Sequence, residues 1–67
     1  MTKTDKLKLL IADSGLKKTY ISERLGLSRA GYQKKENGER EFTASEVGEM
    51  RKLLSLTDAQ VKDIFLS

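Results

Sequence analysis

Apolar residues recur along the chain at intervals of three and four, and turn residues divide that pattern into five helix-length pieces. The spacing predicts a first helix from about Thr4 to Ser14, with Leu7, Leu10, Ile11 and Ser14 along one face and Gly15 ending it. A second runs from about Lys18 to Leu25 and stops at Gly26, a residue type that takes left-handed backbone angles without a Cβ penalty. Ser28 is placed to cap a third helix, about Arg29 to Glu36, by accepting from a free N–H of its first turn. The Asn37-Gly38 dipeptide stops that helix. Glu39 to Phe42 reads as a loop. Thr43-Ala44-Ser45-Glu46 and Thr57-Asp58-Ala59-Gln60 then have the form of capping boxes, in which the two side chains satisfy each other's free backbone donors. The first box opens a helix with Val47, Met50 and Leu54 on one face and Leu53 beside them. The second opens one with Val61, Ile64 and Phe65. Phe42 precedes the first box and is expected to turn its ring inward as a hydrophobic staple. No proline interrupts the chain. The expected fold is all-α, a compact five-helix domain spanning residues 1–67.

The second and third helices carry a more specific pattern. Ile21 and Leu25 share a helix face, and Ser22 beside them is small where another helix has to come close. Gly26 permits a tight turn, and Leu27 and Tyr32 can face back toward Ile21 and Leu25. Two short helices joined by a tight turn containing glycine make a helix-turn-helix unit. An ordinary corner between two helices of a bundle satisfies the same spacing.

At about 100° per residue, Arg29, Ala30, Gln33 and Lys34 fall on one side of the third helix and Tyr32 on the other. Those four side-chain types suit the major groove of DNA. Arginine pairs with guanine O6 and N7, lysine reaches the same atoms, glutamine bridges adenine N6 and N7, and an alanine methyl meets that of thymine. Taken singly, Gln33 and Lys34 are better explained as solvated helix surface; as a set on one face, the four favour base readout. Phosphate contacts are expected from Lys17 and Lys18 at the start of the second helix, from Ser28, and from Asn37 and the backbone after Gly38, with Arg40 close by.

Charge sharpens this picture. The net charge is only +3, but six cations and two anions lie between Lys17 and Gly38, a balance of +4, against seven and eight elsewhere, a balance of −1. A basic segment within a neutral chain is what one phosphate-facing side produces. There is no histidine and no cysteine, which removes the commonest general base, the commonest neutral metal ligand and any disulfide. Asp5, Asp13, Glu23, Asp58 and Asp63 form no evident carboxylate pair, and no phosphate-binding glycine loop or nucleophile motif is present. Neither catalysis nor a cofactor or metal is expected. The longest apolar run, Leu9 to Ala12, is far short of the ~20 residues that span a bilayer. Met1 leads directly into a polar, helix-forming stretch with no secretory pattern. A soluble cytoplasmic protein is the expectation.

The run Leu16 to Gly38, LKKTYISERLGLSRAGYQKKENG, resembles the Cro/repressor helix-turn-helix family of phages and mobile elements. Its Glu36-Asn37-Gly38 ending is typical of that family, and residues 41–46, EFTASE, look like small Cro-like regulators from phages or prophages of Gram-positive bacteria. The resemblance covers about Leu7 to Leu56. It implies a lambda-repressor-like domain that binds a partly palindromic double-stranded operator as a homodimer, at least on DNA, and represses transcription. By position, the family's base contacts fall on Arg29, Ala30, Gln33 and Lys34, and its phosphate contacts on Lys18 and Asn37.

The chain departs from that pattern in places. Lys17 stands where the family usually has Ser or Thr, so the second helix lacks a good side-chain cap, a loss of ~1 kcal/mol. Ser22 replaces a usual Ala. Lys35 replaces an apolar residue and is expected to bury its stem while keeping its ammonium in water. Ile11 occupies the place where some repressors carry an arginine that pairs with the Glu of Glu-Asn-Gly; Glu36 is therefore expected to find another cation or stay exposed. Gly31 within the third helix costs about 1 kcal/mol against Ala, and close approach to DNA or to another helix would account for it. One rival reading is a protein-binding module of the same fold, an antitoxin or antirepressor, using the apolar patch of Val61, Ile64, Phe65 and Leu66.

Overall fold

Each glycine-marked boundary becomes a real helix end in the computed structural model, which describes residues 2–66. Five helices and no strand are present among the described residues: α1 (Thr4–Ser14), α2 (Lys18–Arg24), α3 (Arg29–Glu36), α4 (Ala44–Leu54) and α5 (Asp58–Phe65). Helix α2 stops one residue before the expected Leu25, which serves as its C-cap, and Gly26 takes φ of 71°. Both capping boxes form, with Thr43 and Thr57 accepting from the backbone N–H of Glu46 and Gln60, whose side chains reach back to the cap N–H groups. Lys17 provides no side-chain cap for α2, as its chemistry requires.

All five helices feed one core. Leu7 and Ile11 of α1, Ile21 of α2, Tyr32 of α3, Met50 of α4, and Ile64 and Phe65 of α5 are buried together with Leu56. Fully burying side chains of this size is worth about 1.5–3 kcal/mol each. Leu10, Leu25, Leu27, Val47, Leu53, Leu54 and Val61 close the core from its edges. Phe42 turns inward and sets its ring edge-on to Tyr32 and Phe65, with centroids 6.3 and 5.5 Å away. These T-shaped contacts lock the loop before α4 onto both α3 and α5. Ser14 departs from the expected apolar face of α1. It is exposed, its hydroxyl donating to the Ile11 carbonyl at 2.6 Å and accepting from the Leu16 N–H at 3.1 Å, so it finishes the helix instead of joining the core.

The start of α1 meets the end of α5. The Lys3 N–H donates to the Ile64 carbonyl at 2.7 Å, and the ammonium groups of Lys3 and Lys6 both bind Asp63. Helix α1 is thereby tied to α5, while α3 packs on α1 and α2 on α4.

Candidate nucleic-acid interface

The α2–α3 connection is fixed by hydrogen bonds, not by bulk. After α2 the Leu27 N–H donates to the Ser22 carbonyl at 2.9 Å and the Gly26 N–H to the Glu23 carbonyl at 3.1 Å. This six-to-one and five-to-two pairing needs a left-handed residue between, which Gly26 supplies. Ser22 is 2% exposed, and its hydroxyl is turned back onto the Lys18 carbonyl at 2.7 Å. The small side chain thus lets the helices approach and leaves no unpaired polar group between them. Ser28 starts α3 by accepting from the Gly31 N–H at 3.0 Å.

Close approach of another helix does not account for Gly31. A Cβ at this position would stand 3.1 Å from the Ser28 hydroxyl oxygen, crowding the cap that begins the helix. No atom of a neighbouring helix lies within 4 Å of that position.

Helix α3 is two-sided. Tyr32 and Glu36 have no exposed surface. Arg29, Ala30 and Lys34 are exposed on the other side, and Gln33 is half-buried at its margin, its amide N–H donating to Asn37 Oδ1 at 3.1 Å. The Glu36 carboxylate is satisfied by two donors: Lys18 Nζ at 2.9 Å on one oxygen and the Tyr32 hydroxyl at 2.8 Å on the other. Glu36 therefore does find another cation, from α2 and not from α1. Burial, reinforced by the hydrogen bond and the charge of Glu36, pushes the Tyr32 hydroxyl far above its ordinary range, so it stays a proton donor.

A second ion pair holds the same helix from the opposite flank. The Lys35 ammonium is not in water as expected. It binds Glu46 Oε1, with the two side chains only 13% and 11% exposed. That same oxygen accepts the Thr43 N–H at 2.9 Å, so Lys35 joins α3 directly to the cap of α4. Burial opposes ionisation of Glu46, but the hydrogen bonds from Lys35 and Thr43 outweigh it and hold the carboxyl below its usual value.

These pairings sort the basic residues of the segment. Lys18, Arg24 and Lys35 are engaged with Glu36, Glu49 and Glu46 respectively. Lys17, Arg29, Lys34 and Arg40 are exposed, with no ion-pair partner among the described residues. Lys18 keeps part of its side chain, 42%, in solvent, and its ammonium has three donors of which Glu36 takes one. Asn37 is the exposed C-cap of α3, followed by Gly38 at φ of 84°. Tyr20, 45% exposed on α2, adds an aromatic hydroxyl to the outer surface that the sequence pattern did not single out.

The described residues contain no group of three or more His, Cys, Asp or Glu able to hold a metal, and no helix long and apolar enough to cross a membrane. No protein-family model, curated protein or solved structure matches the chain.

Proposed function

We propose that this chain is a sequence-specific double-stranded DNA-binding regulator of the Cro-like kind, with α2 and α3 acting as a helix-turn-helix and α3 entering the operator major groove. The observation that carries the reading is the division of α3: Arg29, Ala30 and Lys34 lie free on one side while Tyr32 and Glu36 are wholly enclosed on the other. Two ion pairs from neighbouring helices then fix the angle at which that free side is presented. Base readout falls to Arg29, Ala30, Gln33 and Lys34. Lys17, Lys18, Ser28, Asn37 and Arg40 grip phosphate. On a palindromic operator two copies place their α3 helices about 34 Å apart, one duplex turn. Such a protein works as a repressor in the cytoplasm of a phage-bearing bacterium and needs neither catalysis nor a cofactor.

The experiment is a titration of the labelled protein with duplexes selected from a random pool, followed by amide shifts. Shifts concentrated at residues 28–38, with binding that weakens steeply in salt, support the reading. Untouched residues 28–38 overturn it. A protein-binding role on the same scaffold is favoured by one feature: Leu66 is 69% exposed beside an apolar cavity of about 310 Å³ between Phe42, Val47 and Phe65. Shifts confined to those residues on adding a protein partner, with no response to DNA, would select that role.

A further inference from the structure

We propose that the cavity beside Phe42 is a binding site for a small amphipathic amine: its apolar walls take a short aromatic or aliphatic body, and the Glu41 carboxylate takes the ammonium. The inference goes beyond the DNA-binding reading above and does not depend on it.

The cavity has a volume of about 310 Å³, at the small end of the range of about 300–1,000 Å³ for ligand sites. Phe42, Val47, Phe65 and Leu66 give it an apolar lining, and Thr2 and Glu41 are its polar members. An apolar pocket with a few polar groups is how small-molecule sites are built. Glu41 is exposed and has no ion-pair partner among the described residues. Thr2 is 7% exposed, and its hydroxyl oxygen is buried without a hydrogen-bond partner. A buried hydroxyl left unpaired is unfavourable. An ammonium carries three N–H donors, enough for the Glu41 carboxylate and a second acceptor. The site therefore asks for positive charge on an apolar body. Glu41 repels an anion, and a neutral alcohol brings it no charge.

The size of the occupant follows from the surface around the cavity. Leu66 is the large hydrophobic residue of its wall that stands open to solvent. The others so exposed among the described residues are Leu9 on α1 and Tyr20 on α2, and neither lines the cavity. A stable protein interface buries about 800 Å² on each partner around an apolar centre. One exposed leucine does not supply that centre, whereas a cavity of this size encloses much of a small molecule. Phe42 also sets its ring against Tyr32, the inward anchor of α3, at a centroid separation of 6.3 Å. The wall of the site is therefore the ring that braces α3.

The test is an amide-shift titration of the full chain with 2-phenylethylammonium chloride, set beside 2-phenylethanol and 3-phenylpropionate. The amine should shift Glu41, Phe42, Val47 and Phe65 saturably. It should bind about fivefold more tightly than the alcohol, the upper end for a solvent-exposed ion pair. The carboxylate should bind more weakly than either. E41Q should remove the advantage of the amine and leave the alcohol unchanged; Glu41 has no ion-pair partner to lose among the described residues, so the fold should stay intact. L66A should weaken amine and alcohol by similar factors, because it shortens the apolar wall and leaves the charge in place. The proposal is overturned if amine and alcohol bind alike, if E41Q keeps the advantage, or if L66A binds both as the native chain does. Shifts that fall outside the cavity or do not saturate overturn it too. So does a response of these residues to a protein partner with none to the amine, which selects the protein-binding role instead.

Discussion

The Tyr32 hydroxyl and the Glu36 carboxylate lie one turn apart on α3, 2.8 Å from each other, and neither side chain has any exposed surface. A carboxylate without solvent is costly unless it is paired and hydrogen-bonded. Here Lys18 completes the pairing from α2. The base of the proposed DNA-reading helix is thus a small polar network inside an apolar core, and the network spans the two helices whose relative angle matters for docking.

Breaking that network should be expensive. Removing one partner of a buried ion pair costs ~3–5 kcal/mol. The Lys18 side chain is 42% exposed, and water can partly replace it. We therefore expect Lys18→Met to destabilise the fold by about 2 kcal/mol, with Lys18→Arg recovering most of it. Tyr32→Phe leaves one Glu36 oxygen without a donor and should cost about 1–3 kcal/mol. Urea unfolding of the three variants checks this; a Lys18→Met midpoint equal to that of the native chain would show that the pair stabilises nothing.

Phosphate grip should separate Lys17 from Lys18. A lysine that neutralises one phosphate contributes about 0.9 to the slope of log affinity against log salt. Lys17 has no ion-pair partner among the described residues, whereas Lys18 shares its charge with Glu36. Lys17→Ala should flatten the slope by nearly a full unit and Lys18→Ala by clearly less. Equal slopes for the two variants would place both ammonium groups wholly on DNA.

Arg29 is the residue best suited to read guanine, since it is exposed at the first turn of α3 and has no ion-pair partner among the described residues. Arg29→Ala should cost ~1–3 kcal/mol on the selected site and relax preference at a single base position. An affinity loss uniform across sequences would reassign Arg29 to phosphate.

Two backbone positions can be improved. Gly48 lies inside α4, and a methyl group there would meet only open space, so Gly48→Ala should stabilise by about 1 kcal/mol. Ser55 ends α4 in the left-handed region, φ 53° and ψ 47°, which glycine adopts at lower cost; Ser55→Gly should gain a similar amount, about 1 kcal/mol. Gly31→Ala should gain less than Gly48→Ala, because its methyl crowds the Ser28 cap. Thermal melting ranks the three, and a Gly31→Ala gain above that of Gly48→Ala contradicts the steric account.

Acid should weaken the fold in a defined window. Hydrogen bonds from Lys3 and Lys6 lower the Asp63 carboxyl to about 2, and Glu46 also lies below its ordinary value. The unfolded chain therefore takes up these protons first as pH falls. The stabilisation is complete above the ordinary carboxylate range, at about pH 4.5, and is lost as pH drops toward about 2. Having no histidine, the protein should show little change in stability between about pH 5 and 8. Urea midpoints across pH, repeated with Lys35→Met to remove the Glu46 contribution, test both statements.

The five helices, their caps and the inward turn of Tyr32 and Phe42 were legible in the amino-acid order, because these depend on short-range facts: the 3.6-residue period, threonine and serine at helix starts, and glycine where the backbone must go left-handed. The same order placed Arg29, Ala30 and Lys34 on one open face, since facing follows from angle along a single helix. Which charges are spent inside the molecule depended instead on the packing of the helices. Glu36 found Lys18 and Lys35 found Glu46, partners eighteen and eleven residues away. Such pairings arise from how helices cross, and charge alone in a sequence does not say which of several opposite charges will come within reach.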